Sequence, residues 1–403
     1  MTCSTTDIAH SPTISARMAL ALAFVSGAAV ANVYYAQPLL DDLGAQLHMS
    51  PAALGWVTTA TQGGYLLGLV LVVPLGDRWD RRRMILAQLV LTAAGLAGTA
   101  VAPSAWMFLA WSAVFGAAST VVQVITAFAA AASPADRRGR TVGVVTSGVV
   151  IGILLARTVS GFIADLWGWR AVFGCAAVVM LAVAALLARS LPRDAIAKDT
   201  VSYRRSVSSV VELTLHDRTF LVRSLIGGLM FASFGAVWGA MALPLATEPW
   251  HLTPAQIGLF GIVGAAGALG AAGAGRWADR GRAEWATGVL LLVFLVSWLA
   301  IAQAPRSLWL LAAGLLVLDF AGEALHVINQ HLIVASAPGE TNPATTRLIG
   351  GYMVYYAVGT GAGALAATVA YARGGWALAS AVGAGLAAAA LAVWAADRSI
   401  RRR

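Results

Sequence analysis

The sequence predicts an all-α integral membrane protein whose twelve transmembrane helices form two pseudo-symmetric bundles of six. Three observations predict this fold class: the composition, the length of the apolar segments, and a repeat between the two halves of the chain. Of 403 residues, 59% are apolar and only 11% are charged. A soluble protein carries about 25% charged residues. The composition therefore excludes a water-soluble globule, and two cysteines exclude a disulfide scaffold.

The apolar segments have the length that a membrane span requires. A helix needs about 20 mostly apolar residues to cross a hydrocarbon core about 30 Å thick. Continuous Ala, Leu, Val and Gly runs lack the alternation of membrane β-strands, and the first run is long enough to be a permanent helix instead of a cleaved signal. The predicted spans are 17–40, 51–75, 84–102, 105–132, 141–166, 170–190, 219–247, 254–275, 284–303, 307–335, 347–371 and 376–396.

The basic residues predict the orientation of these spans. Cytoplasmic loops of membrane proteins carry the excess of Lys and Arg. If the N-terminus is cytoplasmic, 23 of the 27 Lys and Arg residues fall on that side. We therefore expect a multi-pass protein of a bacterial-type inner membrane with both termini in the cytoplasm. The net charge of +9 then reflects topology, and we expect no nucleic-acid partner.

A repeat relates the two halves of the chain. Ser50-Pro51-Ala52 recurs as Thr253-Pro254-Ala255, and Gly168-Trp169 recurs as Gly375-Trp376. Parallel repeats in membrane proteins place the substrate site at the interface of the halves. The longest hydrophilic stretch lies between spans six and seven. The predicted units are an N-terminal six-helix bundle, a cytoplasmic linker and a C-terminal six-helix bundle, over residues 1–190, 191–218 and 219–403.

Two charged loops carry a resemblance to a known family. Asp77-Arg78-Trp79-Asp80-Arg81-Arg82-Arg83 follows span two, and Asp279-Arg280-Gly281-Arg282 follows span eight. With twelve spans and a basic central loop, the whole chain resembles the major facilitator superfamily. The resemblance implies the major facilitator fold and assigns a conformational role to a set of loop residues, namely Asp77, Arg78, Arg81, Arg82, Asp279 and Arg280.

Three further segments resemble a subgroup of this family. Residues 32–38, 138–173 and 318–330 are similar to the drug:proton antiporter-like efflux members, which include sugar and nucleoside exporters. The family's antiporter motif in span five expects Pro and a Gly pair where this chain has Ile153, Ala156 and Arg157. Because of that departure, antiport does not follow from the resemblance alone.

Span ten holds the richest set of intramembrane polar groups. Asp319, Glu323, His326 and Gln330 fall within about 60° of one another on a helix of 100° per residue. Two carboxylates one turn apart repel when both are ionised, so the pair readily holds a proton. We therefore predict that Asp319, Glu323 and His326 couple protons to transport. The alternative is a structural stripe that hydrogen-bonds to neighbouring helices.

Arg157 is expected to be the only basic residue well inside a span, and it must pair or face water. We predict that it takes part in proton coupling as the counter-ion of a carboxylate in span ten. Two alternatives are a contact to an anionic substrate and a structural pair with Asp165, about 12 Å away along the same helix.

Uncharged polar and aromatic groups supply the candidate substrate contacts. In the major facilitator fold, spans one, four, seven and ten line the central cavity. Phe231, Phe234 and Trp238 follow helical spacing, which packing against other helices also explains. The predicted contacts are Asn32, Tyr35, Gln62, Gln123, Phe234, Trp238 and Gln330.

These observations predict a secondary active transporter that exports small amphipathic molecules in exchange for protons. The alternative within this class is a uniporter or a sugar or nucleoside carrier without proton antiport. A membrane enzyme or sensor is disfavoured because the remaining histidines are scattered and the largest loop is short. We expect a monomer in the lipid bilayer, with a small-molecule substrate and protons as partners, and with no cofactor, metal or enzymatic activity.

Overall fold

The computed structural model describes residues 15–134, 137–192, 212–271, 277, 280–336 and 342–401. These residues form helices joined by turns, and the helices correspond to the twelve predicted spans. Ten of them are α1 Ala16–Ala31, α2 Pro51–Gly76, α3 Arg81–Ala100, α4 Ala105–Ala131, α5 Arg138–Trp167, α6 Trp169–Ser190, α7 Arg218–Ala246, α8 Pro254–Gly270, α9 Ala283–Ile301 and α10 Leu308–Ala335. The last two, α11 and α12, share Asn342–Arg401 and are divided by the non-helical residues Gly374 and Gly375.

Most of these helices are long enough to cross a membrane. Among the described residues, nine helical stretches are long and apolar enough, and one of them, Leu348–Ile400, contains both α11 and α12. The helices α1 and α8 are shorter, with 16 and 17 residues. Turns and the 3-10 segment Gln37–Leu39 continue the chain beyond α1.

The repeated sequence motifs occupy equivalent places in the structure. Ser50 and Thr253 are the N-cap residues of α2 and α8, and each accepts a hydrogen bond from a backbone N–H of the first turn. A proline follows each cap, where its missing N–H leaves no donor unpaired. Gly168 and Gly375 join α5 to α6 and α11 to α12 with φ of +81° and +61°, a region that favours glycine. The repeat therefore encodes matching helix starts and turns.

Glycine pairs bring helices into close contact within each half, as the Gly-x-x-x-Gly spacing predicts. Gly148 and Gly152 in α5 pack against the backbone of α1 at Ala23 and Gly27. In the second half, α11 packs in the same way against the backbone of α7, and the residues involved are Gly359, Gly363, Gly228 and Ala232. We call α1–α6 the N-terminal bundle and α7–α12 the C-terminal bundle.

The two bundles meet through α5 with α8 and α2 with α11. We call the side where α1 begins and α12 ends the termini face, and the opposite side the far face. Thr158 donates a hydrogen bond to Gly258 O at 2.8 Å, and Thr59 donates one to Gly361 O at 2.9 Å. Both contacts lie in the half of the bundles nearer the far face, because α5 ends there and α2 begins there. The bundles are thus closed together toward the far face.

Nearer the termini face, α5 and α8 border a space between the bundles. It is lined by Thr146 and Val149 in α5 and by Ala265 and Ala268 in α8. These residues lie on the termini-face side of the contact between Thr158 and Gly258.

The charged loop after α2 connects helices of the N-terminal bundle. Asp80 caps α3 by accepting the backbone N–H of Arg82 at 2.9 Å, and the Arg82 guanidinium donates to Ala188 O at the end of α6. Arg78 and Arg81 lie in the same loop, and Arg280 is exposed in the second loop. Asp279, the side chain of Asp77 and residues 193–211 of the expected linker lie outside the described part.

A second Arg within a helix is buried. Arg223 lies near the start of α7 and is 1% exposed. Arg223 forms an ion pair with Glu284 in α9 and donates to Thr287 Oγ1 at 3.3 Å. Its position near the start of α7 made it resemble a loop cation in the sequence, but the packing of α9 buries it.

Candidate functional site

A cavity of about 220 Å³ lies between the two bundles. Its wall is formed by the end of α1 and by helices α2, α4, α5, α7, α8, α10 and α11. Most of the candidate residues from the sequence border this cavity, and they are Gln62, Gln123, Arg157, Phe234, Asp319, Glu323 and His326. The candidates from the two halves of the chain are therefore brought to one place.

The polar stripe of α10 faces the cavity over two turns. Asp319 is 6% exposed, whereas Glu323 and His326 are half-buried. Gln330 lies one turn beyond the cavity wall, where its Nε2 is 3.1 Å from Nε2 of His326. The Nδ1 atom of His326 lies 3.2 Å from the hydroxyl of Tyr352 in α11. Gln330 therefore orients His326 and does not border the cavity.

Asp319 has one satisfied and one unsatisfied carboxylate oxygen. Trp238 Nε1 in α7 donates to Asp319 Oδ1 at 3.3 Å, while Oδ2 has no hydrogen-bond partner among the described residues. The backbone of Gly264 in α8 lies against this oxygen so closely that an added Cβ would collide with it. A buried carboxyl group with a free oxygen next to a cavity can exchange a proton with water in that cavity.

Arg157 is held at the cavity wall by three neighbours. Its Nε donates to Gln37 Oε1 at 2.6 Å, and its Cζ lies 3.8 Å from the centroid of the Trp238 ring and 5.1 Å from that of Tyr34. Its Nη2 has no hydrogen-bond partner within the described chain. Arg157 is thus stacked on aromatic faces, with one donor left available.

The predicted alternative of a pair between Arg157 and Asp165 is not found. Asp165 Oδ1 accepts the backbone N–H of Ala255 at 3.2 Å, at the start of α8. Arg157 instead shares Trp238 with Asp319, because the indole lies under the guanidinium and donates its N–H to the carboxylate.

Aromatic side chains form one wall of the cavity. Phe231 makes edge-to-face contacts with Phe234, Tyr356 and His326, at centroid distances of 6.2, 4.4 and 5.2 Å. Trp238 lies behind this wall, is 2% exposed and does not border the cavity. The aromatic side chains of α7 therefore have two roles. Phe231 and Phe234 form the cavity wall, and Trp238 packs behind them.

Hydroxyl and amide groups line the opposite part of the cavity. Gln123 in α4 donates to the hydroxyl of Tyr65 in α2 at 3.3 Å. The hydroxyl groups of Tyr34 and Tyr356 are hydrogen-bonded to each other across the boundary between the bundles. Gln62 Oε1 has no hydrogen-bond partner in the described structure. The cavity therefore presents donors and acceptors beside its aromatic wall.

Two residues near the end of the first span, which were predicted to contact the substrate, lie away from the cavity wall. Asn32 is 1% exposed and Tyr35 is half-buried, and neither borders the cavity. Tyr34 borders it instead. The reason is that α1 ends at Ala31 and the chain continues in turns, so helical spacing does not apply to these residues.

Some site residues were missed by sequence reasoning. Gln37 accepts a hydrogen bond from Arg157, and Tyr356 is hydrogen-bonded to Tyr34. Gly264 has no Cβ, so the carboxyl group of Asp319 can pack against its backbone. A polar side chain in an apolar span was a usable signal for Tyr356. No local signal distinguished Gly264 among the 42 glycines of the chain, because its role depends on the packing of α8 against α10.

Comparisons with known proteins agree with this architecture. The family model described as Major Facilitator Superfamily matches residues 20–237. The transporter YgaY of Escherichia coli strain K12 is 40% identical over 381 residues, which cover 94% of this chain and 95% of that protein. A chloramphenicol resistance protein of Streptomyces lividans is 29% identical over 272 residues, covering 66% of this chain and 67% of the relative.

A solved structure shares the fold at low sequence identity. The bacterial homologue of the human lysosomal transporter Spinster superposes with a TM-score of 0.73 at 16% identity. The superposition covers 94% of this chain and 93% of that one.

Proposed function

Because this chain belongs to the major facilitator superfamily and is therefore a membrane transporter and not an enzyme, we propose that it exports small amphipathic molecules in exchange for protons. The observation that carries the proposal is the cavity between the bundles, which joins ionisable groups to an aromatic wall. Asp319, Glu323 and Arg157 border the same space as Phe231 and Phe234.

The direction of transport is inferred from the position of the cavity. The excess of basic residues on the termini face favours a cytoplasmic location for that face. The cavity extends to the termini-face side of the contact between Thr158 and Gly258, which supports loading from the cytoplasm. Reorientation of the bundles about the cavity would then release the substrate outside.

Two carboxyl groups on α10 support proton coupling. Asp319 and Glu323 lie one turn apart beside the cavity, where a shared proton relieves their repulsion. Protonation from the periplasmic side and release to the cytoplasm would drive the cycle in the outward direction for the substrate. His326, hydrogen-bonded to Tyr352, borders the same cavity as Glu323 and can relay protons between Glu323 and that cavity.

The lining supports an amphipathic substrate. Aromatic faces bind apolar groups and cations, while Gln62, Gln123 and the free Nη2 of Arg157 supply hydrogen bonds. A relative named as a chloramphenicol resistance protein is consistent with a substrate that has both an aromatic ring and hydroxyl groups.

A second candidate function is a metabolite carrier without proton antiport. The departure of span five from the family's antiporter motif favours it, since Arg157 stands where that motif has another residue. A free guanidinium donor at the cavity can also bind a hydroxylated or anionic metabolite.

Transport into proteoliposomes tests the proposal. Labelled chloramphenicol, D-xylose and a nucleoside are offered with and without an imposed pH gradient. We expect gradient-driven accumulation of an amphipathic probe, which is lost in Asp319→Asn and Glu323→Gln and kept in a control, Asp41→Asn, whose side chain is exposed and does not border the cavity. Gradient-independent flux that is unchanged in both carboxylate variants would contradict proton coupling and favour the metabolite carrier.

A further inference from the structure

Trp238 contacts both charged groups at the boundary between the bundles. Its Nε1 donates to Asp319 Oδ1 at 3.3 Å, and its ring centroid lies 3.8 Å from Cζ of Arg157. Arg157 belongs to the N-terminal bundle, whereas Trp238 and Asp319 belong to the C-terminal bundle. A continuous set of contacts therefore runs from the carboxyl group through the indole to the opposite bundle.

We propose that Trp238 is a positioning residue that transmits the protonation of Asp319 to the contact between the two bundles. The proposal rests on the proton-coupled transport proposed above. Trp238 is 2% exposed and is separated from the cavity, so its role is not that of a substrate contact.

The direction of the effect follows from the hydrogen bond. An ionised carboxylate is a stronger acceptor than a carboxylic acid, so the charged form of Asp319 fixes the indole ring beneath Arg157. The fixed ring holds the guanidinium by a cation–π contact, and the bundles stay closed toward the far face. Protonation weakens the acceptor and releases the ring from this orientation.

This arrangement meets a requirement of exchange. A carrier that has released its proton to the cytoplasm must not reorient until it binds substrate. Reorientation of the carrier without substrate would dissipate the proton gradient and transport nothing in return. A lock that forms when Asp319 is ionised prevents such an empty cycle. Substrate binding must then supply the difference in free energy that opens the far face.

Other ionisable groups face the same space and must be separated from this effect. The helices packed around Asp319 present Trp238 from α7 and the side-chain-free Gly264 from α8. The titratable or charged groups that border the cavity with Asp319 are Arg157, Tyr34, Tyr65, Tyr356, Glu323 and His326. A substitution at Trp238 removes no ionisable group, so every titratable group of the cavity stays in place.

Pulsed electron paramagnetic resonance tests the proposal without a substrate. After Cys3→Ser and Cys175→Ser, spin labels are placed through Ala45→Cys and Arg306→Cys, two exposed far-face positions in opposite bundles. Distances are recorded in nanodiscs at acidic and alkaline pH. We expect acid to increase the population with a longer far-face distance in this background protein.

Trp238→Phe keeps an aromatic face for Arg157 but removes the N–H donor, and we expect it to lose most of the acid-induced change. The matched control is Trp298→Phe, because Trp298 is also 2% exposed but donates to Ser233 inside the C-terminal bundle. It should respond as the background protein does. Asp319→Asn, which cannot ionise but still offers an acceptor oxygen, should also lose the pH response.

The outcomes distinguish the two proposals. An acid-induced change of normal size in Trp238→Phe would overturn the role of Trp238 and leave proton coupling intact. Distances that do not respond to pH in the background protein would overturn this inference, whereas proton coupling is decided by the gradient-driven flux in proteoliposomes. A normal response in Asp319→Asn would overturn the inference independently of whether Trp238→Phe folds.

Discussion

The hydroxyl groups of Tyr34 and Tyr356 are hydrogen-bonded across the boundary between the two bundles. Tyr34 follows α1 and is 4% exposed, and its ring lies 5.1 Å from Cζ of Arg157. Tyr356 in α11 packs its ring against Phe231. The pair therefore forms part of the contact that closes the cavity toward the far face, next to the charged centre.

Removing either hydroxyl should favour opening of the far face. Tyr34→Phe and Tyr356→Phe each delete one partner of the pair, and a hydrogen bond of this type contributes about 1 kcal/mol. We expect a roughly fivefold increase in the far-face-open population, measured from spin-label distances between Ala45 and Arg306. The double variant should add little to either single one, since both remove the same bond. Fully additive effects would show that the hydroxyls act separately.

Replacing Arg157 by Lys should weaken the contact between the bundles. Lys keeps the positive charge but lacks the planar guanidinium that stacks on Trp238 and donates to Gln37. We expect about 1 kcal/mol of loss in far-face closure, measured by the same distances. The control is Arg170→Lys, because Arg170 stacks on Trp169 at 4.2 Å within the N-terminal bundle. Equal effects of the two substitutions would contradict a specific role for Arg157.

A methyl group at Gly264 should destabilise the centre of the C-terminal bundle. The added Cβ would collide with Asp319 Oδ2 and lie 2.9 Å from Trp238 Cζ2. Overpacking of this kind costs about 1 to 3 kcal/mol, so thermal unfolding in detergent should occur at a lower temperature for Gly264→Ala. The matched control is Gly143→Ala, a helical glycine in open space within the described structure. It should be neutral or stabilising.

The ion pair of Arg223 should contribute more to stability than a pair at the surface. Glu284 is 45% exposed, but its partner Arg223 is 1% exposed, so Glu284→Ala leaves a buried guanidinium with Thr287 as its remaining partner in the hydrogen bonds described above. We expect a loss of about 2 kcal/mol in the free energy of unfolding. Arg83→Ala breaks the pair with Asp80, whose Arg side chain is 88% exposed, and should cost less than about 1 kcal/mol. A larger effect of Arg83→Ala would contradict this order.

Local chemistry allowed much of the fold to be predicted. Each span could be read from its apolar length, and the repeated caps at Ser50 and Thr253 and the repeated turns at Gly168 and Gly375 mark equivalent positions in the two bundles. The glycine spacing of Gly148 and Gly152 likewise predicted a close helix contact. These features depend on residues near one another in the chain, so periodicity and residue type suffice to find them.

Part of the cavity wall was also accessible from the sequence. Asp319, Glu323 and His326 share one face of a regular helix, and their polarity in an apolar span marked them out. The burial of Arg223 depends on α9 and could not be seen in the sequence. Asn32 and Tyr35 do not border the cavity, because helical spacing ends with α1 at Ala31.

The sequence by itself determined the twelve spans, their repeat and the polar residues that must be satisfied inside the membrane. Only the tertiary structure decided which partners satisfy them. Arg157 stacks on Trp238 and binds Gln37, and Asp319 accepts from the same indole. Partners from α5, α7 and α10 meet because the bundles pack together, and such contacts between residues far apart in the chain leave no periodic signal in the sequence.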